Sequence, residues 1–372
     1  MIGRLHIVAC WLLLLAAALP SPAADLEVFS SGERKWELLL ADLDQARTSI
    51  CMDYFRFDDD SSGRKVFNVM VRKAREGVAV RLILEDVSHG TLKKRFYQEM
   101  AAAGVEVRYF TDMDRWDALS KVGHRDHRKI VVIDGRIGYL GGMNLANNYY
   151  NVWRDTHLRF EGPAVAELER IFFQNWQALG GSGEPVSSCT ASDPRIEIVP
   201  GGPGYPVFLK RYVQLLDEAR DYIWFQTPYF CPPDTLIAAM KAAVDRGVDV
   251  RLMMPYETDF RILTTSNQYF YEKMLETGVR VYVYLPRFDH SKTVVCDDAT
   301  YWVGSVNLDN LSLCVNYEIA ACIHDEAVAR RQKDVFLSLL DDAKEVTREE
   351  VESWSAWRRF TRRLPMLIKR FL

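Results

Sequence analysis

The sequence predicts an α/β protein built from two copies of one domain, and repeated segments carry this prediction. Residues 73–84 (KAREGVAVRLIL) and 243–254 (AVDRGVDVRLMM) both have the pattern of a helix end, a glycine cap and a buried strand. Each copy also has a strand-like run before this segment and a Gly-Val strand after it, at 49–55 and 104–109 and again at 222–226 and 278–284. Strands that alternate with helices at this spacing form a sheet covered by helices. We therefore expect two such domains, packed around a pseudo-twofold axis.

The boundaries follow from the composition along the 372 residues. Residues 180–194 (GGSGEPVSSCTASDP) are rich in Gly, Ser and Pro, as expected of a linker. The predicted parts are an N-terminal signal peptide or short anchor (1–24), a first domain (25–179), the linker (180–194), a second domain (195–345) and a basic C-terminal tail (346–372).

Composition excludes several classes of protein. With 48% hydrophobic and 26% charged residues, the chain is globular, and not disordered, collagen-like or a coiled coil. The net charge is -4, but residues 25–352 carry 40 Lys and Arg against 51 Asp and Glu, a net charge of -11. A nucleic-acid-binding protein usually presents a basic surface, so nucleic acid is not the expected partner.

The N-terminus predicts export. Residues 7–19 (IVACWLLLLAAAL) form an apolar run that is short for a membrane span and suits the core of a secretory signal, with cleavage near Ala23 or Ala24. An uncleaved anchor remains an alternative, and lipidation at Cys10 is a weaker one.

The tail carries aromatic and basic residues in alternation. Its large apolar residues recur at steps of three and four, which indicates one helical stripe that Pro365 would kink or divide: Trp354, Trp357, Phe360, Leu364, Ile368 and Phe371. Such a helix could cover the core of the protein or lie in an anionic membrane surface. Six cations and no acid in residues 353–372 favour the membrane.

One polar pattern occurs twice. His127, Lys129 and Asp134 have the spacing His-x-Lys-x4-Asp, and the same pattern returns in the second copy at His290, Lys292 and Asp297. All three pairs are separated by the same offset, and this offset also relates three further pairs, Gly141/Gly304, Asn144/Asn307 and Asp155/Glu318. Because so many positions keep one register across a duplication, they predict a shared chemical site and not two structural His–Lys pairs.

The first pattern also predicts its local structure. Residues 127–133 have strand character and end at Asp134-Gly135, a hairpin turn signal. A buried His and Lys without partners would cost several kcal/mol, so an anionic group should face them.

On these motifs the chain resembles the phospholipase D superfamily, and within it the bacterial cardiolipin synthases. The supporting segments are RDHRK (125–129), GGMN (141–144), WRDTH (153–157), EGP (161–163), TPYF (227–230), GSVNLD (304–309) and NYE (316–318). The resemblance implies two mixed α/β domains side by side with both motifs at one interface site, and no metal or other cofactor. One departure is Asp289, since an apolar residue usually precedes the second motif His.

The resemblance also implies roles for the residues. His127 would be the nucleophile that forms a phosphatidyl-histidine, and His290 the acid and then the base. The phosphoryl oxygens would be held by Lys129, Lys292, Asn144 and Asn307. Asp155 and Glu318, which follow the two histidines at the same separation, would fix the imidazole tautomers. Asp134 and Asp297 belong to the catalytic motifs, although we expect them to brace the hairpin turns and lysines.

The accepting alcohol decides the product. A second phosphatidylglycerol would give cardiolipin and water would give phosphatidic acid; a nuclease and a non-catalytic lipid-binding protein are the more distant alternatives. The expected partners are phospholipids, with phosphatidylglycerol favoured, and an anionic membrane through the tail. The expected place is the periplasm or the outer face of the cytoplasmic membrane. The cysteines show no metal-ligand spacing, and their pairing is not assigned.

Overall fold

A computed structural model describes residues 25–85, 94–110 and 124–371 of the chain. The predicted signal or anchor, residues 1–24, lies outside the described residues. Within the described ranges, no helix is both long enough and apolar enough to cross a bilayer.

The first half is a seven-stranded mixed sheet with helices. Its strands are β1 (Leu26–Phe29), β2 (Ser49–Tyr54), β3 (Ala79–Glu85), β4 (Glu106–Phe110), β5 (Lys129–Ile133), β6 (Ile137–Gly141) and β7 (His157–Glu161). Its helices are α1 (Gly32–Gln45), α2 (Ser61–Arg75), α3 (Lys94–Ala102) and α4 (Ala164–Ala178), with a π-helical turn at Asn148–Val152. The strand order is β1-β7-β6-β5-β2-β3-β4, with β2, β3 and β4 parallel.

The second half repeats this sheet. Its strands are β8 (Ile196–Gly201), β9 (Tyr222–Gln226), β10 (Phe230–Cys231), β11 (Asp249–Pro255), β12 (Arg280–Tyr284), β13 (Thr293–Cys296), β14 (Thr300–Gly304), β15 (Leu308–Asp309), β16 (Glu318–Ile323) and β17 (Ala343–Glu345). Its helices are α5 (Val207–Glu218), α6 (Asp234–Asp245), α7 (Arg261–Glu276), α8 (Asn310–Cys314) and α9 (Glu326–Leu339), and then α10 (Arg348–Glu352) and α11 (Ala356–Arg363).

The order of the second large sheet, β8-β16-β14-β13-β9-β11-β12-β17, matches the first strand for strand and adds β17 at the edge. The predicted fold class of two tandem α/β domains is therefore confirmed. Gly77 and Gly247 occupy equivalent helix ends with φ of 90° and 92°, a backbone conformation that side chains disfavour.

The two sheets share a hydrophobic core. One buried cluster joins Leu140 and Trp176 of the first half to Trp224, Val303 and Ile319 of the second. Each sheet also has one cluster of its own on its outer side, under its helices. Because apolar burial stabilises the contact between the halves, the fold holds the loops that meet across this contact in a fixed arrangement.

The tail departs from the predicted single stripe. Trp354 is 7% exposed and packs in the core of the second half, whereas Trp357 is 72% exposed. Ser355 caps α11 by accepting from the N–H of Arg358, so Trp354 precedes this helix and does not share its face. The helix ends at Arg363, and a 3₁₀ segment (Leu364–Phe371) follows around Pro365, as the expected kink requires.

All six cysteines in the described part are free, and Cys51, Cys231, Cys296 and Cys322 are buried. The four buried cysteines pack as small apolar side chains.

Candidate active site

Backbone hydrogen bonds between the two halves bring the two motifs together. The N–H of His127 donates to the carbonyl of Tyr317 (2.9 Å), and the N–H of His290 donates to the carbonyl of Arg154 (2.7 Å). The return bonds run from Tyr317 N to Arg125 O (2.9 Å) and from Arg154 N to Phe288 O (3.0 Å). The offset of the duplication relates His127 to His290, Arg154 to Tyr317 and Arg125 to Phe288. Each bond on one side of the contact therefore has an equivalent bond on the other side. The loops before β5 and β13 therefore pair with the other half, about a pseudo-twofold axis.

The same exchange pairs each histidine with a carboxylate of the other half. His127 Nδ1 lies 3.0 Å from both carboxylate oxygens of Glu318, and His290 Nδ1 lies 2.7 Å from Asp155 Oδ2. The predicted tautomer-fixing role is thus supported by the geometry, but the partners are exchanged: neither carboxylate contacts the motif histidine of its own half. An Nδ1–H donated to a carboxylate leaves Nε2 as the nitrogen that can react.

Each carboxylate has its own support. Glu318 is fully buried and also accepts from the hydroxyl of Ser305. Asp155 accepts from the N–H of Thr156 (2.6 Å), and a Cβ at Gly142 would lie 2.2 Å from its Oδ1. Gly142 and Ser305 are equivalent positions in the register of the duplication. At this position the first half leaves space for its carboxylate, whereas the second half places a hydroxyl donor.

Burial and like charge control the protonation of the site. Burial lowers the pKa of His127, with Lys129 and Lys292 acting in the same direction and Glu318 opposing them. Burial, Lys292 and Lys129 hold the pKa of His290 well below its usual value. Since each lysine acts on the histidine of the other motif, the two motifs form one electrostatic site.

The lysines are poised to bind an anion. Lys129 and Lys292 donate to the backbone carbonyls of His127 and His290, and burial lowers their pKa values to about 7 and about 8. Burial also raises the pKa of Asp155 to about 6. An anionic group placed between the lysines would compensate their desolvated charge.

The predicted asparagines lie in the interior. Asn144 accepts from the N–H of Arg56 (3.0 Å) and donates to the hydroxyl of Tyr149 (2.9 Å), so it links the loop after β2 to the π-helical segment. Asn307 donates to Ser312 Oγ (3.3 Å), and its Oδ1 has no partner among the described residues. Their contact with a phosphoryl group stays a prediction.

The motif aspartates are not part of the reactive cluster. Asp134 (φ 53°) accepts from the N–H groups of Arg47, Thr48 and Ser49, and Asp297 (φ 51°) accepts from those of residues 220–222. Each closes a hairpin turn at the end of its strand opposite the motif lysine. The expectation that they brace turns agrees with this geometry. Among the described residues neither aspartate contacts its motif lysine, and a role for them in catalysis stays a prediction.

A buried ion pair beside His290 was missed by sequence reasoning. Arg154 Nη1 lies 3.0 Å from Asp289 Oδ1 and donates to Ser291 Oγ at 2.7 Å. In the first half, Asp126, the equivalent of Asp289, pairs with Arg128 at 2.8 Å. Asp289, the departure before the second motif, is therefore one end of a salt bridge that joins the two halves.

Comparisons with known proteins agree with this site. A family described as "Cardiolipin synthase, PLD-like domain" matches residues 39–176 and 212–340. A cardiolipin synthase of Oceanobacillus iheyensis is 31% identical over 356 residues, covering 92% of this chain and 74% of that protein. The chain belongs to the phospholipase D-like cardiolipin synthase family. It is thereby an enzyme of the phosphatidyltransferase class in the phospholipase D superfamily.

Other relatives define the extent of the likeness. Cardiolipin synthase 2 of Bacillus cereus is 32% identical over 338 residues, covering 87% of this chain and 66% of that protein. A solved phosphatidylserine synthase of Haemophilus influenzae has 15% sequence identity and a TM-score of 0.71, over 94% of this chain and 93% of that one. This structural likeness concerns the fold alone.

Aromatic side chains enclose the histidines of this family member. Phe55 meets His127 edge-on at 4.9 Å between ring centroids. Tyr149, Trp153, Tyr229 and Phe288 lie 5.4 to 6.0 Å from the ring of His290. Exclusion of water by such rings strengthens every electrostatic interaction within the site.

One group of potential metal ligands lies elsewhere in the described chain, at Glu197, Cys322 and His324. Arg211 holds both oxygens of Glu197 at 2.8 and 2.6 Å, and burial raises the pKa of Cys322 to about 12. A guanidinium already compensates the charge of this carboxylate, so Glu197 is engaged in an ion pair and the group is a poor candidate for a metal site.

Proposed function

We propose that the protein synthesises cardiolipin by moving a phosphatidyl group from one phosphatidylglycerol to another, through a phosphohistidine intermediate and with release of glycerol. The observation that carries the proposal is the pair of imidazoles, His290 buried and His127 half-buried, each bound through Nδ1 to a carboxylate of the other half. Two imidazoles whose Nε2 atoms have no hydrogen-bond partner among the described residues, together with two lysines at one site, suit the displacement of an alcohol from a phosphodiester.

In the first step, His127 Nε2 attacks the phosphorus of the donor lipid. Because burial lowers its pKa, His127 is neutral near pH 7 and its lone pair is available. The P–O bond to glycerol breaks as the P–N bond forms, and His290 gives its Nε2 proton to the leaving alkoxide. The anionic donor offsets the lysine charges that lower the pKa of His290, so binding of the donor favours the protonated imidazole.

In the second step, the acceptor lipid supplies a hydroxyl. His290, now neutral, takes the hydroxyl proton, and the oxygen attacks phosphorus as the P–N bond to His127 breaks. Cardiolipin leaves and both histidines return to their starting states. Water in place of the acceptor lipid gives phosphatidic acid, so the ratio of the two products reports how well the site selects its acceptor.

Mass spectrometry of the products tests the proposal. Purified protein is incubated with phosphatidylglycerol vesicles without added metal, beside His127→Ala and His290→Ala. Cardiolipin and free glycerol in equal amounts, absent with both variants, are the expected result. Phosphatidic acid as the main product would identify a hydrolase, and a wild type inert toward phospholipids but active on nucleic acid would identify a nuclease.

We also propose that the tail, residues 346–372, holds the enzyme on an anionic membrane, at the outer face of the cytoplasmic membrane if the chain is exported as expected. Trp357, Phe360, Leu364 and Leu367 are exposed by 72, 53, 47 and 84% and recur at steps of three and four. Arg358 and Arg359 stand among them, and buried Trp354 fixes the tail to the second half. Exposed apolar and basic residues on one short segment favour an interfacial position.

Vesicle sedimentation tests the tail. Trp357→Ser with Leu367→Ser should weaken binding to phosphatidylglycerol vesicles at least about fivefold, since two large apolar side chains no longer enter the interface. Leu337→Ser, an exposed apolar site on α9, is the matched control. Unchanged binding of the double variant would exclude the tail as the membrane contact.

A further inference from the structure

A cavity of about 430 Å³ opens beside His290 and is not used by the chemistry described so far. Its walls are the loops that follow β11 and β12, with Trp153 contributed by the first half. Ligands of α/β sheets bind outside the carboxyl ends of the parallel strands, which is where both loops lie. The cavity is therefore placed to receive a ligand of the reaction.

Its aromatic wall touches the second histidine. The rings of Trp153 and Phe288 are 4.9 Å apart between centroids, and they lie 5.7 and 5.5 Å from the ring of His290. A molecule resting against these two rings would lie next to the imidazole. The wall thus connects the cavity to the group that gives and takes the proton in the proposed mechanism.

Another part of the lining is polar and acidic. Asp259 accepts a hydrogen bond from the hydroxyl of Tyr229 (2.6 Å), and the ring of Tyr229 lies 6.0 Å from His290. Glu257 is exposed beside it and has no salt-bridge or hydrogen-bond partner among the described residues. Arg287 completes the lining. Carboxylates accept hydrogen bonds from hydroxyl groups, aromatic faces pack on C–H groups, and a guanidinium binds phosphate.

We propose that this cavity binds the glycerol headgroup of the acceptor phosphatidylglycerol and presents one of its hydroxyls to His290. The inference rests on the proposed function and specifies where its second substrate binds. The leaving alkoxide of the first step is protonated by the same imidazole that deprotonates the acceptor in the second, so both alcohols occupy the side of His290. In synthesis from two phosphatidylglycerols both alcohols carry a glycerol group, and a single glycerol cavity serves both steps.

Exchange of free glycerol tests the cavity. Isotopically labelled glycerol is added to unlabelled phosphatidylglycerol vesicles, and its incorporation into phosphatidylglycerol is followed beside the formation of cardiolipin and phosphatidic acid. Asp259→Asn should raise the KM for glycerol about tenfold, because a charged acceptor of hydroxyl groups becomes a neutral one. The ratio of cardiolipin to phosphatidic acid should fall, since water competes better for the phosphohistidine.

Two further variants keep the test decisive. Glu257→Gln changes an exposed side chain that has no partner in the described structure, so it should fold normally and raise the glycerol KM by a smaller factor. Asp217→Asn, at an exposed acid on α5, is the matched control and should behave as wild type.

The outcomes separate the two proposals. A wild type that makes neither cardiolipin nor labelled phosphatidylglycerol contradicts the proposed function itself. A wild type that makes both, with an unchanged glycerol KM and product ratio in Asp259→Asn and Glu257→Gln, overturns the cavity alone. Stronger exchange of labelled ethanolamine than of glycerol would also overturn it, because the acidic lining would then select a cationic headgroup.

Discussion

Removal of the Arg154 guanidinium tests how the two halves are held together at the site. Arg154→Met keeps most of the apolar stem and removes the charge. Arg154 and Asp289 are 4% and 3% exposed, so the remaining carboxylate cannot gain water without local opening. It would keep the N–H of Ser291 (3.1 Å), the Ser291 hydroxyl (2.6 Å) and a long bond from Gln226 (3.3 Å).

The expected cost can be set from these contacts. Removing one partner of a buried ion pair typically costs 3–5 kcal/mol, and three surviving donors place Arg154→Met at the lower end, about 3 kcal/mol in the free energy of unfolding. Adding Asp289→Asn removes the stranded charge. The double variant should therefore be more stable than the sum of the two single changes predicts, by about 1–2 kcal/mol.

Urea unfolding followed by tryptophan fluorescence measures the cycle. Arg128→Met, which breaks the ion pair that Asp126 makes inside the first half, serves for comparison and should cost at least as much, because Asp53 is a second buried carboxylate beside Arg128. Turnover should fall with both variants, because Arg154 precedes Asp155 and Arg128 lies between His127 and Lys129, so the loss of either ion pair loosens a residue of the site. A loss below about 1 kcal/mol with Arg154→Met, or strict additivity in the cycle, would refute the reasoning.

Three other substitutions address separate steps. Glu318→Gln should lower kcat about 10³-fold at unchanged substrate affinity, because an amide cannot fix the His127 tautomer. Single-turnover kinetics measure both quantities, and a loss of affinity with unchanged kcat would contradict the assignment. Asp134→Ala should lower the free energy of unfolding by about 1–3 kcal/mol, by orphaning its backbone donors, and change kcat by less than about threefold; a large kcat effect in a folded protein would return Asp134 to the chemistry. Burial lowers the pKa of Lys35 to about 7, whereas the unfolded lysine keeps its proton to about pH 10, so the unfolded state binds more protons and stability rises with pH from 7 to 10. Lys35→Met should flatten this rise by up to about 1.4 kcal/mol per pH unit, measured by urea unfolding at several pH values, and an unchanged slope would refute the assignment.

The duplication and the fold class were predictable because they depend on local patterns. Gly77 and Gly247 end helices before buried strands, and the same residue spacing returns in each half. The type of turn at Asp134-Gly135 was also local information. These features require no knowledge of which loops meet.

The pairing of each histidine with the carboxylate of the other half could not be predicted from the sequence, for a physical reason. A constant offset between the two copies states that Asp155 and Glu318 are equivalent, but it is equally compatible with pairing inside each half and across the halves. Backbone hydrogen bonds between Arg154 and His290, and between Tyr317 and His127, decide it, and these form only when the two sheets share a core. The single helical stripe predicted for the tail failed for a similar reason. The spacing of apolar residues does not reveal that Ser355 caps a helix that begins after Trp354.

In the proposed mechanism two equivalent histidines have different tasks. The backbone exchange is symmetric, so the difference has to come from side chains one layer away. Glu318 receives the Ser305 hydroxyl and supports His127, whereas Asp155 lies over Gly142 and supports a histidine ringed by Trp153 and its aromatic neighbours. Asp155 likewise accepts a second hydrogen bond, from the N–H of Thr156, so both imidazoles are held in position and the surroundings of His290 make the difference. An imidazole beside an open, polar cavity suits a group that exchanges protons with alcohols entering and leaving from that side.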